Sequence, residues 1–235
     1  MDRNVRIAKA TLDADMGRVD PAVADIRKLL DGSDDRRIYL TIAELYQKGK
    51  RWSEGAKALD EAEKLSKDQD EKLDVWFARG ALFERQKNIP QAEAEFRKVL
   101  KVVPDHAQAL NYLGYMLTDR NTRLNEALDM IQKAVAREPS NGAYLDSLGW
   151  VYYRLGRYAE AEQQIKRAVD LNPGDPTMQD HYAEALMQQK KIREAVAAWE
   201  ESLRQWQASA PAEKDDAEIN KVRSKLEQAK KQLAR

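Results

Sequence analysis

The sequence from Gly142 to Asp175 constrains the fold of this chain more than any other stretch of it. It reads GAYLDSLGWVYYRLGRYAEAEQQIKRAVDLNPGD and contains two helical patterns in succession, separated at Gly156 and ended at Pro173. Apolar or small residues recur at helical spacing in each pattern: Leu145, Leu148, Gly149 and Tyr152, then Ala161, Ile165 and Ala168. A single hairpin of such helices leaves an apolar face uncovered, so the pattern predicts further hairpins stacked upon it.

This pattern resembles the tetratricopeptide repeat (TPR). The signature of that family is a bulky residue, a Leu-Gly pair and a Tyr, then an Ala, a large apolar residue and a Pro, within about 34 residues. Leu145 stands here in place of the family's Trp, and Ile165 in place of its Phe. We expect Gly149 and Ala161 to face each other across the hairpin, where a larger side chain would push the two backbones apart.

Related patterns recur along most of the chain and are strongest over residues 73–175. They predict an all-α, TPR-type right-handed solenoid of about six helix-turn-helix repeats with a C-terminal capping helix. The predicted array spans 3–209, with repeats near 3–35, 36–69, 73–106, 107–141, 142–175 and 176–209, and a polar linker and the capping helix fill 210–235. Gly80, Gly114 and Gly149 are expected at equivalent helix contacts.

Four local features of the sequence lead to further predictions. Asp70 to Lys72 are surplus to the second repeat and are expected to lengthen the loop after it. The fourth repeat is one residue too long, and the surplus is placed in the turn within Thr118 to Arg123. Asp20-Pro21 and Asp175-Pro176 each read as a helix start, with an N-cap carboxylate before a proline.

The last predicted helix, from about Asp216 to Arg235, leaves two interpretations open. Its apolar residues alternate in spacing between three and four: Ile219, Val222, Leu226, Ala229 and Leu233. The favoured interpretation is a cap over the sixth repeat, as the terminal element of a repeat array requires. The alternative is a short coiled coil or partner-binding helix, which would allow self-association through this segment.

Composition excludes several classes of function. Lys and Arg total 40 and Asp and Glu total 40, so no global field draws the chain to nucleic acid or to an anionic membrane. The absence of Cys removes disulfides, thiol nucleophiles and Cys-ligated zinc. No apolar run reaches the roughly 20 residues needed to span a bilayer, so we expect no membrane insertion. The cellular compartment, cytoplasm or periplasm, stays open, and an irregular first repeat suggests part of a longer protein.

Catalysis has little support in the sequence. The only two histidines, His106 and His181, are far apart, and neither has a second ligand at metal-binding spacing. We expect His106 to be a solvent-facing loop residue and His181 a groove or surface residue. No glycine-rich phosphate loop is present. The chain is therefore predicted to be non-catalytic, without a metal or a cofactor.

The TPR resemblance implies a site of interaction. In that family the first helix of each repeat lines an inner, concave groove, and the residues at recurring places on it face a bound partner. The residues predicted to form a partner-binding groove are Asn111, Tyr115, Asp146, Trp150, Tyr153, Asp180 and Glu184. The aromatic residues are expected to serve as exposed, rigid anchors, and Asn111 to hydrogen-bond the backbone of an extended ligand.

The functional hypothesis is a protein-interaction scaffold whose groove binds a peptide or helix that carries apolar and basic side chains. A ligand held by its terminal carboxylate is not expected, because the lysine that such TPR modules use is missing. Three alternatives stay open. In the first, Trp150 and Tyr153 merely fill space between successive first helices. In the second, the chain is a structural or self-assembling module. In the third, it is a regulatory segment of a longer multidomain protein.

Overall fold

The computed structural model describes residues 2–211 and 214–234, and every regular element in those ranges is an α-helix. The predicted all-α fold is therefore confirmed. The helices are α1 (Arg3–Asp15), α2 (Val19–Arg27), α3 (Asp35–Lys48), α4 (Trp52–Leu65), α5 (Gln69–Arg85), α6 (Ile89–Val102), α7 (Ala107–Asp119), α8 (Leu124–Arg137), α9 (Gly142–Arg154), α10 (Tyr158–Leu171), α11 (Pro176–Gln188), α12 (Ile192–Ala208) and α13 (Asp216–Leu233).

The helices divide into two compact units, α1–α6 and α7–α13. In the first unit the packed hairpins are α1 with α2, α3 with α4, and α5 with α6. In the second unit they are α7 with α8, α9 with α10, and α11 with α12, while α13 packs on α12. Short turns join the helices of each pair, so neighbours in sequence bury their apolar stripes against each other.

A glycine on the first helix of three hairpins lies directly against a large apolar residue of the second helix. A Cβ atom on Gly149 would lie 2.3 Å from Cγ1 of Ile165 and 3.0 Å from the carbonyl oxygen of Ala161, too close for any packed carbon. The equivalent contacts are Gly80 with Phe96 and Gly114 with Ile131. The prediction that these glycines occupy equivalent helix contacts is confirmed, and the close approach of the two helices is its physical reason.

The turns within the hairpins share one backbone feature. Each contains a residue with a left-handed conformation: Gly17, Lys50, Lys87, Asn121, Gly156 and Lys190. The turn between α7 and α8 contains a second such residue, Arg123, with a φ of 48°. The surplus residue of the fourth repeat is therefore accommodated in this turn, as the sequence predicted.

Two predicted helix starts differ in outcome. The Asp175 side chain accepts hydrogen bonds from the backbone N–H groups of Thr177 and Met178, which confirms it as the N-cap of α11. Asp20 is not an N-cap, because α2 already begins at Val19 and places Asp20 in its first turn. A carboxylate there still interacts favourably with the positive end of the helix dipole.

Helix α5 begins earlier than the sequence predicted. The Asp68 side chain accepts a hydrogen bond of 2.9 Å from the Glu71 N–H and caps the helix, which starts at Gln69. Residues 70–72, expected in a longer loop, form the first turn of α5 instead, so that prediction is wrong. An aspartate cap followed by acidic residues favours helix over loop at this point.

Candidate functional site

The seven predicted groove residues lie on α7, α9 and α11, the first helices of three successive hairpins in the second unit. Helix α9 contacts both α7 and α11. We call the surface formed by these three helices the first-helix face. The structure places Asn111 and Tyr115 on α7, Asp146, Trp150 and Tyr153 on α9, and Asp180 and Glu184 on α11.

Four rings form an aromatic ladder across the first-helix face: Tyr153, Trp150, His181 and Tyr115. The Tyr153 and Trp150 rings stack with centroids 4.7 Å apart and planes within 5°. Trp150 stacks in turn on His181, at 4.1 Å and 13°, and His181 lies 6.4 Å from Tyr115. The ladder thus joins α9 to α11 and continues to α7.

The prediction that Trp150 is an exposed anchor is wrong. Trp150 is only 9% exposed, because the rings of Tyr153 and of His181 on the next hairpin cover its indole. Asn111 and Asp146 are buried as well. Trp150 therefore packs between successive first helices, which was the alternative interpretation of this residue.

Three polar atoms beside the ladder are buried without a hydrogen-bond partner: Nε1 of Trp150, Oδ1 of Asn111 and Nε of Arg154. Leaving a buried polar atom unpaired costs roughly 1–3 kcal/mol each. The buried polar atoms of this first-helix face therefore have fewer hydrogen-bond partners than buried polar atoms usually have.

A buried ion pair between His181 and Asp146 holds the His181 ring of the ladder in place. Nδ1 of His181 lies 2.9 Å from Oδ2 and 3.1 Å from Oδ1 of Asp146. Burial lowers the pKa of His181, but the charge and hydrogen bond of Asp146, together with the charge of Asp180, outweigh it, so the pKa is raised above its ordinary value. His181 lies on the first-helix face, where the groove was predicted, but the expected surface position is wrong, since the residue is 6% exposed.

Sequence reasoning missed the pairing of His181 with Asp146, although a signal for it exists. The two residues are 35 positions apart, close to one repeat, which places them on neighbouring first helices. His106, by contrast, caps α7 and its ring accepts a hydrogen bond from the backbone N–H of Ala109. It is half-buried rather than fully solvent-facing.

The raised pKa of His181 predicts a pH dependence of stability. Since protonation is favoured in the folded state, the ion pair contributes fully below the unfolded-state value of about 6.5 and is lost as pH rises through the higher folded-state value. We expect the free energy of unfolding of the second unit to fall as pH rises over this interval, measured by urea titration in a pH series. His181→Gln is expected to remove this part of the slope, and an unchanged slope would contradict the assignment.

The carboxylates predicted to attract a basic ligand already have partners within the chain. Nζ of Lys225, on α13, lies 2.9 Å from Asp180 and 2.7 Å from Glu184. Asp180 also accepts a hydrogen bond of 2.7 Å from Nε1 of Trp199. Two carboxylates thus share one ammonium group, and neither is an unoccupied acidic site.

The solvent-facing border of the ladder consists of Tyr115, Tyr153, Glu184 and Gln188, which we call the ladder edge. The Tyr153 hydroxyl donates to Glu184 at 3.1 Å and accepts from Nε2 of Gln188 at 3.3 Å. Burial and the nearby Glu184 charge raise the pKa of Tyr153 to about 12, so the phenol stays protonated. The first three residues are half-buried and Gln188 is exposed, which leaves this border in reach of another molecule.

Neither a metal site nor a membrane-spanning helix is found in the described part of the chain. Within 2–211 and 214–234, no three His, Cys, Asp or Glu side chains lie close enough together to hold a metal ion. Among the helices of the same ranges, none combines the length and the apolar character needed to cross a membrane.

Successive two-helix hairpins, three of them with a glycine at the close helix contact, define an all-α, solenoid-type repeat protein. A family model for the tetratricopeptide repeat matches residues 31–208, about three quarters of the chain. The chain therefore belongs to the TPR family, and the resemblance seen in the sequence is confirmed. TPR repeats generally mediate protein–protein interaction, and proteins of the family are generally non-catalytic scaffolds.

Similar proteins include two from Pseudomonas aeruginosa. The TPR repeat-containing protein PA4667 is 36% identical over 159 residues, which are 67% of this chain and 26% of that protein. The type IV pilus assembly protein PilF is 28% identical over 144 residues, 60% of this chain and 56% of that protein. The chain thus spans about a quarter of the first relative's length and little more than half of the second's.

The fold itself has a well-matched counterpart among solved structures. The crystal structure of yeast Tom70 aligns with a TM-score of 0.70 over 99% of this chain and 47% of that chain. The two sequences are 20% identical, so the likeness concerns the fold.

Proposed function

We propose that this chain is a non-catalytic scaffold that holds a peptide or helix of a partner protein against the first-helix face of its second unit. The observation that carries the proposal is the ladder edge, a half-exposed border of aromatic and hydrogen-bonding groups fixed in place before any ligand arrives. Rigid aromatic side chains of this kind dominate the free energy of many protein interfaces.

The ladder lies mostly outside the close contacts that hold each hairpin together. In the hairpin of α9 and α10 that role belongs to Gly149, Ala161 and Ile165. Tyr153 lies outside that close contact, although its ring also packs edge-on against Tyr158 at the start of α10, with centroids 5.6 Å apart. The ring is held by Trp150 and Tyr158, and the hydroxyl is held by Glu184. A ligand that covers Tyr153 therefore loses little side-chain entropy on the scaffold's side.

The ligand chemistry follows from which groups are within reach. Tyr115 and Tyr153 offer apolar ring surface, while Glu184 and Gln188 offer hydrogen-bonding groups at the same border. A basic ligand side chain would compete with Lys225 for Glu184 rather than find a free carboxylate. In this proposal the remaining members of the predicted set do not contact the ligand but pack beneath the ladder edge. They are the buried Asn111, Asp146 and Trp150 and the partly covered Asp180.

Removal of the Tyr153 ring tests the proposal. Peptides of 12 residues selected from a random display library on the wild-type protein are expected to lose at least about tenfold in affinity for Tyr153→Ala, because an aromatic anchor is truncated. Fluorescence anisotropy measures the affinity, and circular dichroism checks that the helix content is retained.

The matched control lies on α10, away from the first helices. Gln163→Ala removes an exposed side chain of similar length and is expected to leave every affinity unchanged. Selected peptides that bind wild type and Tyr153→Ala equally, with both proteins folded, would place the interaction elsewhere.

A further inference from the structure

Helix α13 is attached to the rest of the second unit by one narrow apolar stripe and by ion pairs of Lys225 and Lys230. Of its 18 residues only Val222, Leu226 and Ala229 are buried, and they join a cluster with residues of α11 and α12: Ala183, Leu186, Ala195, Ala198 and Trp199. Its extensive contacts are with α12 alone, whereas α9 and α11 each pack on three or more helices. Few neighbours and few buried side chains give a terminal helix a low free energy of local opening.

Helix α13 covers a surface of α11 and α12 that includes Leu186, Ala198 and Trp199, and we call this surface the slot. One border of the slot is negatively charged. Asp180 and Glu184 border it, and Lys225 binds both carboxylates at 2.9 and 2.7 Å. Lys225 is 31% exposed at its side chain, and it directly precedes the buried Leu226. The slot therefore holds an ammonium group and an apolar side chain from adjacent positions of α13.

Helix α13 fills the slot incompletely. A pocket of about 250 Å³, open to solvent, lies beside it and is bordered by Met187 and Gln188 of α11, Trp199 of α12, and Gln228 and Gln232 of α13. Gln228 and Gln232 are exposed, and they border the same pocket as the apolar Met187 and the Trp199 ring. A helix with larger apolar residues at these two places would bury more apolar surface in the same slot.

We propose that the slot is a docking site for an amphipathic helix of a partner protein, and that α13 is its built-in competitor. The partner helix has a lysine directly before a leucine, apolar residues four before and three after that leucine, and apolar residues at the places of Gln228 and Gln232. The proposal shares Glu184 with the ladder edge but does not require a ligand on Tyr153. Since α13 is tethered, its effective concentration is high, so the partner must bind the slot more tightly than α13 does.

A synthetic, fluorescently labelled peptide of residues 214–235 is the first probe. It is expected to bind Lys225→Glu protein at least tenfold more tightly than wild type, because a glutamate beside Asp180 and Glu184 weakens the protein's own α13. Lys221→Glu makes the same charge change at an exposed position of α13, where Lys221 pairs with Glu218 of the same helix, and is expected to behave as wild type. Equal affinity for all three proteins would overturn the proposal.

A second probe leaves the protein unchanged. A peptide with Gln228→Leu and Gln232→Leu is expected to bind wild type at least tenfold more tightly than the native peptide and to speed hydrogen exchange in 216–233 of the protein. A peptide with Lys225→Glu is expected to do neither, and if it bound as well as the native peptide the charge recognition would be refuted.

Two further outcomes separate this site from its rivals. Tyr153→Ala protein is expected to bind the 214–235 peptides as wild type does, so failure of the slot and failure of the ladder edge are distinguishable. If wild type formed concentration-dependent dimers that exchange α13, measured by sedimentation, the occupant would be a second copy and the partner helix would be wrong.

Discussion

Asp146→Ala is expected to destabilise the second unit by about 3–5 kcal/mol, the cost of breaking a buried ion pair by removing one partner. The Asp146 and His181 side chains are only 9% and 7% exposed, so bulk solvent does little to compensate for the lost carboxylate. His181 would then have to lose its proton or stay charged in a buried site, and its stacking on Trp150 would lose its support. Urea unfolding followed by circular dichroism at neutral pH measures the change.

A second substitution shows whether the buried charge is the cause. Adding His181→Phe keeps a ring against Trp150 but removes the unpaired imidazole, so the double variant is expected to be more stable than Asp146→Ala alone. Asp146→Asn keeps a hydrogen-bonding group and is expected to cost less than alanine. Strictly additive effects of Asp146→Ala and His181→Phe would mean that the two side chains are not coupled.

Gly149→Leu is expected to destabilise the same unit by about 3 kcal/mol, at the upper end of the usual cost of overpacking. The added Cβ would lie 2.3 Å from Cγ1 of Ile165 and 3.0 Å from two backbone atoms, which cannot move without parting α9 from α10. Stability is again measured by urea unfolding, with hydrogen exchange in α9 and α10 to locate the loss.

The matched control is Gly174→Leu. A Cβ at Gly174 meets only the end of the Gln205 side chain, at 3.8 Å, and the expected change is within about 0.5 kcal/mol. Similar losses at the two positions would show that the contact with Ile165 is not what requires a glycine at 149.

The burial of Trp150 decides which substitutions can report on binding. Truncating Trp150 would remove a packed side chain between α9 and α11 and would lower stability whether or not a partner binds there. Tyr153 is half-buried at the ladder edge, so its removal tests contact with a ligand more directly. The distinction arises because rings at similar helix positions have different neighbours on the next hairpin.

Helix α13 illustrates how a cap and a binding element can share one surface. Its apolar stripe is buried within its own chain, so self-association through that stripe would first require α13 to leave the slot. The cap and the coiled-coil interpretations of the sequence therefore describe competing uses of the same three side chains, Val222, Leu226 and Ala229.

The sequence by itself determined the hairpins, their order and the glycine contacts. These features depend on residues close together in the chain: Gly149 meets Ile165 of the adjacent helix, and the helical period fixes which side of α9 faces α10. The turn with surplus residues between α7 and α8 was predictable for the same reason. Where local capping by Asp68 competed with repeat length, at the start of α5, the sequence pattern alone misled.

Only the tertiary structure decided the exposure and the partners of the first-helix face. His181 covers Trp150 and pairs with Asp146 across 35 residues, and Lys225 reaches Asp180 across 45. The helical period says which residues point away from their own hairpin, but it does not say which side chains the next hairpin brings against them. Burial, protonation and hydrogen-bond partners on that face are therefore set by packing between successive hairpins.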